Sequence, residues 1–192
     1  MNEETVVFID AGYLSKLSKY FGDGKHIKLD IVKFADYLAE KCCMTCTHIY
    51  YYTAPPFQGN NPTEIEIKMK AGYDSFINKL KNYERLTVHE GRVQKIGDTY
   101  SQKGVDTLIT MDLYETALTK KFSKLILISS DTDFVPVLER VRDFFKTQII
   151  LFYFTDKKRK SQFSLSNHLL TVVDGAIMLT KDDFLKNEIK SI

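Results

Sequence analysis

The chain has 192 residues, of which 44% are hydrophobic and 27% are charged, proportions typical of one soluble globular domain. Its formal net charge of +2 neither requires nor excludes a nucleic-acid partner. No apolar stretch reaches the roughly 20 residues that span a bilayer, and the acidic start from Met1 to Glu4 is unlike a signal peptide. We therefore expect a cytoplasmic protein without membrane contact, folded as a single domain over residues 1–192, with residues 180–192 as a C-terminal extension.

Apolar segments that suit β-strands alternate along the chain with segments of helical periodicity, a pattern typical of an α/β domain with a mainly parallel sheet. Thr5 to Ile9 and Leu125 to Ile128 lack the polar alternation of a half-exposed strand, so both are predicted to be central strands that are covered on both faces. The short segment from Ala176 to Leu179 is predicted to lie nearer an edge. The remaining predicted strands span residues 47–53, 86–93 and 148–154.

Start signals mark the predicted helices. Asp30 is placed to cap a helix that begins at Ile31, and Thr63 and Glu66 have the spacing of a capping box. Further helices are predicted from about 105 to 118 and from 134 to 145, with Pro136 in the first turn of the latter. The helix after the capping box carries an apolar face formed by Ile65, Met69, Tyr73, Phe76 and Leu80.

Acidic residues follow both apolar strands. Asp10 ends the first strand, Asp131 and Asp133 follow the second, and Asp106 lies in the first turn of a later helix. Ligands of an open parallel sheet bind beyond the carboxyl ends of its strands, so we expect these carboxylates to converge there. Because like charges repel, the cluster is predicted to hold a hard divalent cation, Mg²⁺ or Mn²⁺. Any one of these aspartates, taken alone, is better explained as a helix cap, and only their convergence favours a site. Asp112 is left outside the set, because six residues of helix turn it about 120° away from Asp106.

Basic and aromatic residues near this rim are the predicted contacts for RNA. The cations are Lys103, Arg92, Lys95 and the basic run 157–160. Lys103 is the best placed of them, because it lies just before Asp106. Tyr13 is predicted to stack on a base of a single strand, and Phe57 is a weaker candidate for the same role. The competing interpretation is that the basic run is a solvated turn and that the aromatic residues belong to the core.

The sequence lacks the residue patterns that several other kinds of site require. Cys42, Cys43 and Cys46 are odd in number and clustered, so they are predicted to be reduced thiols rather than disulfides or a complete zinc site. The four histidines lie away from the acidic segments, which argues against an imidazole general base and favours surface or hydrogen-bonded structural roles. No G-x-G-x-x-G or G-x-x-x-x-G-K-[ST] motif occurs, which argues against dinucleotide oxidoreductases and P-loop NTPases.

Three motifs together resemble the NYN domain of LabA-like proteins, which belongs to the PIN-like nucleases. They are Phe8-Ile9-Asp10-Ala11-Gly12-Tyr13-Leu14, Gln102-Lys103-Gly104-Val105-Asp106 and Leu127-Ile128-Ser129-Ser130-Asp131-Thr132-Asp133-Phe134-Val135-Pro136. The resemblance is strongest over residues 6–179 and departs at Ser130, where the family usually has glycine. It implies a Rossmann-like α/β/α sandwich whose acidic cluster binds Mg²⁺ or Mn²⁺ and hydrolyses RNA. The implied metal ligands are Asp10, Asp106 and Asp131, and Asp133 supports or completes the catalytic set.

The function predicted from these features is that of a metal-dependent ribonuclease in which water attacks the phosphodiester. RNA is the predicted partner, with single strands favoured, and the oligomeric state stays open, a homodimer included. The alternative is a catalytically silent relative that binds RNA or a protein in regulation. A phosphatase is disfavoured, because Asp10-Ala11-Gly12 lacks the D-x-D arrangement of an aspartate nucleophile after the first strand.

Overall fold

The computed structural model describes residues 2–156 and 166–189. Its elements are β1 (Glu3–Asp10), α1 (Ala11–Phe21), α2 (Ile31–Lys41), β2 (Met44–Thr53), α3 (Glu64–Lys81), β3 (Leu86–Glu90), β4 (Arg92–Ile96), β5 (Thr99–Lys103), α4 (Val105–Leu118), β6 (Lys124–Ile128), a 3₁₀ turn (Thr132–Phe134), α5 (Val135–Arg140), a π-helical turn (Val141–Phe145), β7 (Gln148–Tyr153), α6 (Asn167–Leu170), β8 (Gly175–Met178) and α7 (Lys181–Lys186). No helix in these parts of the chain combines the length and apolarity needed to cross a membrane.

A six-stranded parallel sheet in the order β3-β2-β1-β6-β7-β8 forms the middle layer. The two strands predicted to be central, β1 and β6, are its innermost pair, with Ile9 opposite Ile128. The strand predicted near an edge is β8, which lies at the edge. The predicted α/β class and its mainly parallel sheet are therefore confirmed.

Successive residues of the central strands point to opposite faces of the sheet, and each face has its own core. Val7 and Ile9 of β1 pack with α1, α2, α3 and α7, whereas Val6 and Phe8 pack with α4, α5 and α6. All of these β1 side chains are buried. Burying a side chain of this size contributes about 1.5–3 kcal/mol, so β1 is firmly held, and with it the acidic residue at its end.

The predicted strand at 86–93 ends at Glu90 and is followed by a hairpin that the sequence interpretation does not include. In this hairpin β4 pairs with β5 in antiparallel fashion, and Ile96 lies opposite Thr99. Gly97, with φ +59°, and Asp98 form the connection. A Gly-Asp pair between two short strands is a recognised hairpin signal. It is easily missed here because most of the side chains on both strands are exposed and polar.

α3 differs from its prediction in burial. Its capping box forms as predicted, since Thr63 and Glu66 exchange hydrogen bonds. Of the predicted apolar face, however, Ile65, Met69 and Phe76 are 72%, 58% and 37% exposed. Only Ile77 and Leu80 are buried, so the C-terminal half of α3 anchors the helix and the N-terminal half adds little to the core.

The described part of the predicted C-terminal extension is packed against the domain. α7 begins with a capping box between Thr180 and Asp183, and Phe184 is fully buried in the core beside α1 and α2. A β-bridge between Leu29 and Glu188 fixes the segment that follows. The described residues of this segment, 180–189, are thus part of the folded unit.

Candidate active site

The carboxyl ends of β1 and β6 form the rim at which the strand order reverses. The chain builds outward from β1 through β2 to β3 on one side and from β6 through β7 to β8 on the other, and such a switch point is the usual ligand site of an open α/β sheet. Asp10 ends β1, and Asp131 follows β6 by three residues. Asp106 belongs to the same rim, because the charges of Asp131, Asp10 and Asp133 all act on it. The structure therefore places the four predicted aspartates at one rim of the sheet, with Asp106 within electrostatic range of the other three.

Asp10 is held in one orientation from both sides. Its Oδ1 accepts the N–H of Tyr13 at 3.0 Å, which caps the first turn of α1. Its Oδ2 accepts the hydroxyl of Ser129 at 3.0 Å, and Ser129, directly after β6, is fully buried. The Ser129 oxygen in turn accepts the N–H of Asp131 at 3.3 Å. Ser129 thus links the two aspartates, although it is not among the residues predicted for the site.

The other aspartates are less constrained. Asp131 is half-buried, and its Oδ1 accepts the N–H of Asp133 at 2.9 Å to cap the 3₁₀ turn. Asp106 and Asp133 are exposed and lie on separate elements. The rim therefore combines a fixed pair, Asp10 and Asp131, with two side chains that face solvent.

The acidic rim carries unfavourable negative charge. Burial raises the pKa of Asp10 above its usual value, and the charge of Asp131 adds to this, while hydrogen bonds from Tyr13 and Ser129 and the charge of Lys16 oppose it. Partial desolvation by the surrounding protein also raises the pKa of Asp106, although its side chain is largely exposed, and the charges of its three acidic neighbours add to this. A cation at this rim would relieve the repulsion that raises these pKa values.

The carboxylates fit a hard divalent cation by chemistry and charge, since Mg²⁺ and Mn²⁺ prefer oxygen ligands. Within residues 2–156 and 166–189, however, no three His, Cys, Asp or Glu side chains are grouped closely enough to hold a metal ion. The aspartates are near enough for their charges to interact, but they do not form a complete set of metal ligands. Ligation would require the exposed Asp106 or Asp133 to turn toward the fixed pair.

Gln102, in strand β5 of the hairpin, lies beside the residues of the acidic rim. A Cβ added to Gly12 would lie 3.2 Å from Oε1 of Gln102 and 3.2 Å from Oδ1 of Asp10. Gly12, two residues after Asp10, therefore leaves room beside that carboxylate for the side chain of Gln102. Gln102 is a second residue that was not predicted for the site, and its place in the motif before Asp106 is the sequence signal that marks it.

The predicted RNA-contact cations lie on two faces of the hairpin. Residues directly opposite in an antiparallel pair share a face, and the face alternates along each strand. Lys95, opposite Tyr100, therefore shares a face with Gln102, whereas Arg92 and Lys103, which oppose each other, lie on the other face. All three cations are exposed. The predicted basic run 157–160 lies outside the described residues.

Tyr13 does not provide the predicted stacking surface. Its ring is only 4% exposed, and its hydroxyl accepts the N–H of Phe154 at 2.7 Å. Burial raises the pKa of Tyr13 well above its usual value, and the side chain of Ser130 also hydrogen-bonds to the hydroxyl. Tyr13 is therefore a core residue that ties α1 to the segments after β6 and β7. Ser130, the departure from the family pattern, takes part in that connection.

Asp112 forms a separate network. Its Oδ2 accepts the hydroxyl of Tyr52 at 2.8 Å and lies 2.6 Å from Nδ1 of His89. Tyr52 lies opposite Asp10, and His89 lies opposite Tyr52, so His89 is in the same row as Asp10 but about 10 Å away across two strand spacings. The network joins α4 to β2 and β3. His89 is thus hydrogen-bonded within the fold.

Comparison with known proteins shows the family to which this fold and rim belong. The NYN domain profile matches residues 4–176, nearly the whole chain. The chain belongs to the NYN domain family. NYN domains form part of the PIN-like superfamily, which accounts for the parallel sheet and the layers of helices.

One solved structure illustrates the same fold in another organism. It is that of a protein of unknown function from Vibrio parahaemolyticus RIMD 2210633, with 18% sequence identity and a TM-score of 0.64. The likeness covers 95% of this NYN chain and 96% of the other. No curated protein matches the sequence.

Proposed function

We propose that this NYN domain is a metal-dependent ribonuclease of the LabA-like group that hydrolyses single-stranded RNA. The observation that supports the proposal most directly is the position of four carboxylates from three separate segments at one rim of the sheet, where Asp106 is within electrostatic range of the other three. Repulsion within such a group is unfavourable unless a cation balances it. Helix capping and the helix dipole account for each of these aspartates singly, but not for the presence of all four at one rim.

Asp10, Asp106 and Asp131 are the proposed ligands of Mg²⁺ or Mn²⁺, and Asp133 completes the catalytic set. When bound, the cation would stabilise charge on the phosphodiester and lower the pKa of an attacking water. Ser129 and the N–H of Tyr13 hold Asp10 so that its oxygens keep a fixed position. The exposed Lys103, Arg92 and Lys95 would attract the RNA backbone.

Cleavage of labelled single-stranded RNA tests this proposal. We expect the parent protein to cleave with Mg²⁺ or Mn²⁺ and not with EDTA, and we expect Asp131→Asn to be slower by about 100-fold or more. Asparagine keeps the Oδ1 that caps the 3₁₀ turn but removes one negative charge from the rim. An Asp131→Asn protein that cleaves at the parent rate with saturating metal would exclude the rim as the catalytic site.

Asp30→Asn is the matched control. Asp30 is also a half-buried N-cap, whose Oδ1 accepts the N–H of Lys33 at 3.1 Å, but it is not among the charges that act on Asp10 or Asp106. The substitution removes the same charge from the same kind of position. We expect it to leave cleavage unchanged.

The second candidate function is that of a catalytically silent NYN domain that binds RNA or a protein in regulation. One observation favours it: within the residues that the structure describes, the carboxylates are not grouped closely enough to hold an ion. A parent protein that binds single-stranded RNA but cleaves it with neither Mg²⁺ nor Mn²⁺ would establish this alternative.

A further inference from the structure

Two aromatic rings and one ammonium group form a cluster at the hairpin. Nζ of Lys95 lies 5.4 Å from the ring centroid of Tyr100 and 5.9 Å from that of Phe57, within the range of cation–π attraction. The two rings meet edge to face, with centroids 5.6 Å apart and planes at 60°. Phe57 comes from the loop between β2 and α3, so the cluster joins this loop to the hairpin.

The cluster is accessible to a ligand. Tyr100 is 55% exposed, Lys95 is exposed and Phe57 is half-buried. Because the three side chains already contact one another, a ligand that stacks on the rings has less side-chain freedom to remove. An exposed aromatic surface with a positive charge in contact with it suits a flat, anionic ligand better than an apolar one.

The cluster lies beside the acidic rim. Tyr100 and Lys95 share a hairpin face with Gln102, and Tyr100 is two residues from Gln102 along β5, a distance of about 7 Å. Gln102 is the residue whose Oε1 lies close to Gly12, two residues after Asp10. A polymer bound on the rings therefore has a short, direct path along one face of the hairpin to the carboxylates.

We propose that Phe57, Lys95 and Tyr100 form a stacking platform that binds bases of single-stranded RNA next to the acidic rim. The identity of the polymer rests on the proposed function. The rings offer π-faces to unpaired bases, and Lys95 offers a charge to the phosphate of a stacked nucleotide. A duplex cannot use the platform in this way, because its bases are already paired and stacked.

Titration of a single-stranded RNA that carries one 2-aminopurine tests the platform. In EDTA, where binding is measured without cleavage, we expect the parent protein to quench the fluorescence and to prefer this RNA over a duplex of equal length. Tyr100→Ala and Phe57→Ala should each weaken binding by roughly 10-fold and reduce the quenching. Tyr100→Phe keeps the ring and should retain both, and Lys95→Ala should flatten the salt dependence.

Phe144→Ala is the control for the loss of an exposed ring. Phe144 is 68% exposed, and its ring centroid lies 5.8 Å from Cζ of Arg140, so it too is an exposed ring beside a cation. It precedes β7, however, and therefore lies toward the opposite rim of the parallel sheet. We expect parent-like binding for this variant. Parent-like binding by both Tyr100→Ala and Phe57→Ala would overturn the platform, and so would a parent protein that binds no single-stranded RNA.

Cleavage of the same RNA separates this inference from the proposed function. If the alanine variants bind weakly and the parent never cleaves with Mg²⁺ or Mn²⁺, the platform stands and the nuclease assignment fails. If the parent cleaves and the alanine variants bind and cleave equally well, the nuclease assignment stands and the platform fails.

Discussion

Two opposing effects act on the carboxylate of Asp10: hydrogen bonds stabilise its charge and burial destabilises it. Its hydrogen bonds with the N–H of Tyr13 and the hydroxyl of Ser129 favour the ionised form. Burial disfavours that form more strongly, and the pKa of Asp10 is raised as a result. Without a bound cation, the ionised Asp10 should therefore weaken the fold that positions it.

We expect Asp10→Asn to be more stable than the parent at neutral pH. Asparagine caps a helix about as well as aspartate and has no charge to desolvate. Because the pKa of Asp10 is raised on folding from a usual value near 3.8, the parent has its full stability below that value and loses it as pH rises through the folded pKa. Thermal unfolding in EDTA should give curves that meet in acid and separate toward neutral pH, by about 2–4 °C in Tm per kcal/mol.

Asp30→Asn serves as the control for this stability measurement, since it removes a charge at an N-cap away from the acidic rim. It should not show the rise in Tm at neutral pH that we expect for Asp10→Asn. Equal Tm values for the parent and Asp10→Asn across the pH range would contradict an unfavourable charge at Asp10.

At the scale of residues, the sequence predicts that aspartates follow the central strands but not which side chains hold them in place. Acidic residues after apolar strands identify Asp10 and Asp131, because strand ends are predictable from hydrophobicity. Ser129 and Gln102 depend on contacts between distant segments, which local patterns do not contain. Tyr13 follows the same rule, since its hydroxyl accepts the N–H of Phe154, which is far along the chain.

At the scale of elements, the hairpin and α3 show where hydrophobic patterns do not predict burial. Each lies at the surface, the hairpin with polar residues on both strands and α3 with exposed apolar residues in its first half. Periodicity shows which side chains share a face, but not whether another element covers that face. The hairpin is nevertheless firmly closed at its base, where β3 turns into β4.

Gly91 closes that base. A Cβ at this position would lie 2.6 Å from the carbonyl oxygen of Lys103 and 2.8 Å from Cγ2 of Val105. We expect Gly91→Ala to reduce the free energy of unfolding by about 1–3 kcal/mol. It should also weaken RNA binding, because the displaced strand carries Gln102 and leads directly into the helix of Asp106. Urea unfolding and RNA titration of the variant measure the two effects.

The same substitution in α3 provides the control with opposite sign. Gly72 lies inside the helix, and a Cβ there would meet nothing within 4 Å. Gly72→Ala should raise the free energy of unfolding by about 0.5–1 kcal/mol and leave RNA binding unchanged. A Gly91→Ala protein that behaves like Gly72→Ala would show that the hairpin base tolerates a side chain.

At the scale of the whole molecule, the sheet is the best-predicted feature. The fully apolar segments at β1 and β6 have only one stable location, in the middle of a sheet covered on both faces. The packing of α7 is less predictable, because a short, charged helix near the end of a chain has little periodicity to interpret. Two buried side chains, Asp183 and Phe184, contribute to its attachment.

Asp183 connects α7 to α2. The carboxylate accepts hydrogen bonds from the hydroxyl of Tyr37 at 2.7 Å, from Nζ of Lys41 at 2.8 Å and from the N–H of Thr180 at 2.8 Å. Burial alone would raise the pKa of Asp183, but these hydrogen bonds together lower it below its usual value. The stability that Asp183 contributes is therefore present above the usual value near 3.8 and is lost as pH falls through the lowered folded pKa.

We therefore expect Asp183→Asn to be less stable than the parent at neutral pH by about 2–3 kcal/mol, because the charge-assisted hydrogen bonds from Lys41 and Tyr37 are weakened. Thermal unfolding should show Tm lower by about 5–10 °C at neutral pH, with a gap that narrows as acid protonates Asp183 in the parent. Asp182→Asn, which changes an exposed residue in the same helical turn, should unfold like the parent at every pH. A gap of constant size down to strongly acid pH would show that Asp183 acts through its shape rather than its charge.

The charge of Asp183 makes the protein more stable as pH rises, whereas the charge of Asp10 makes it less stable. The double variant Asp10→Asn/Asp183→Asn lacks both charges, so its Tm should vary less with pH than that of either single variant. The two contributions should add, since the sites lie in different parts of the structure.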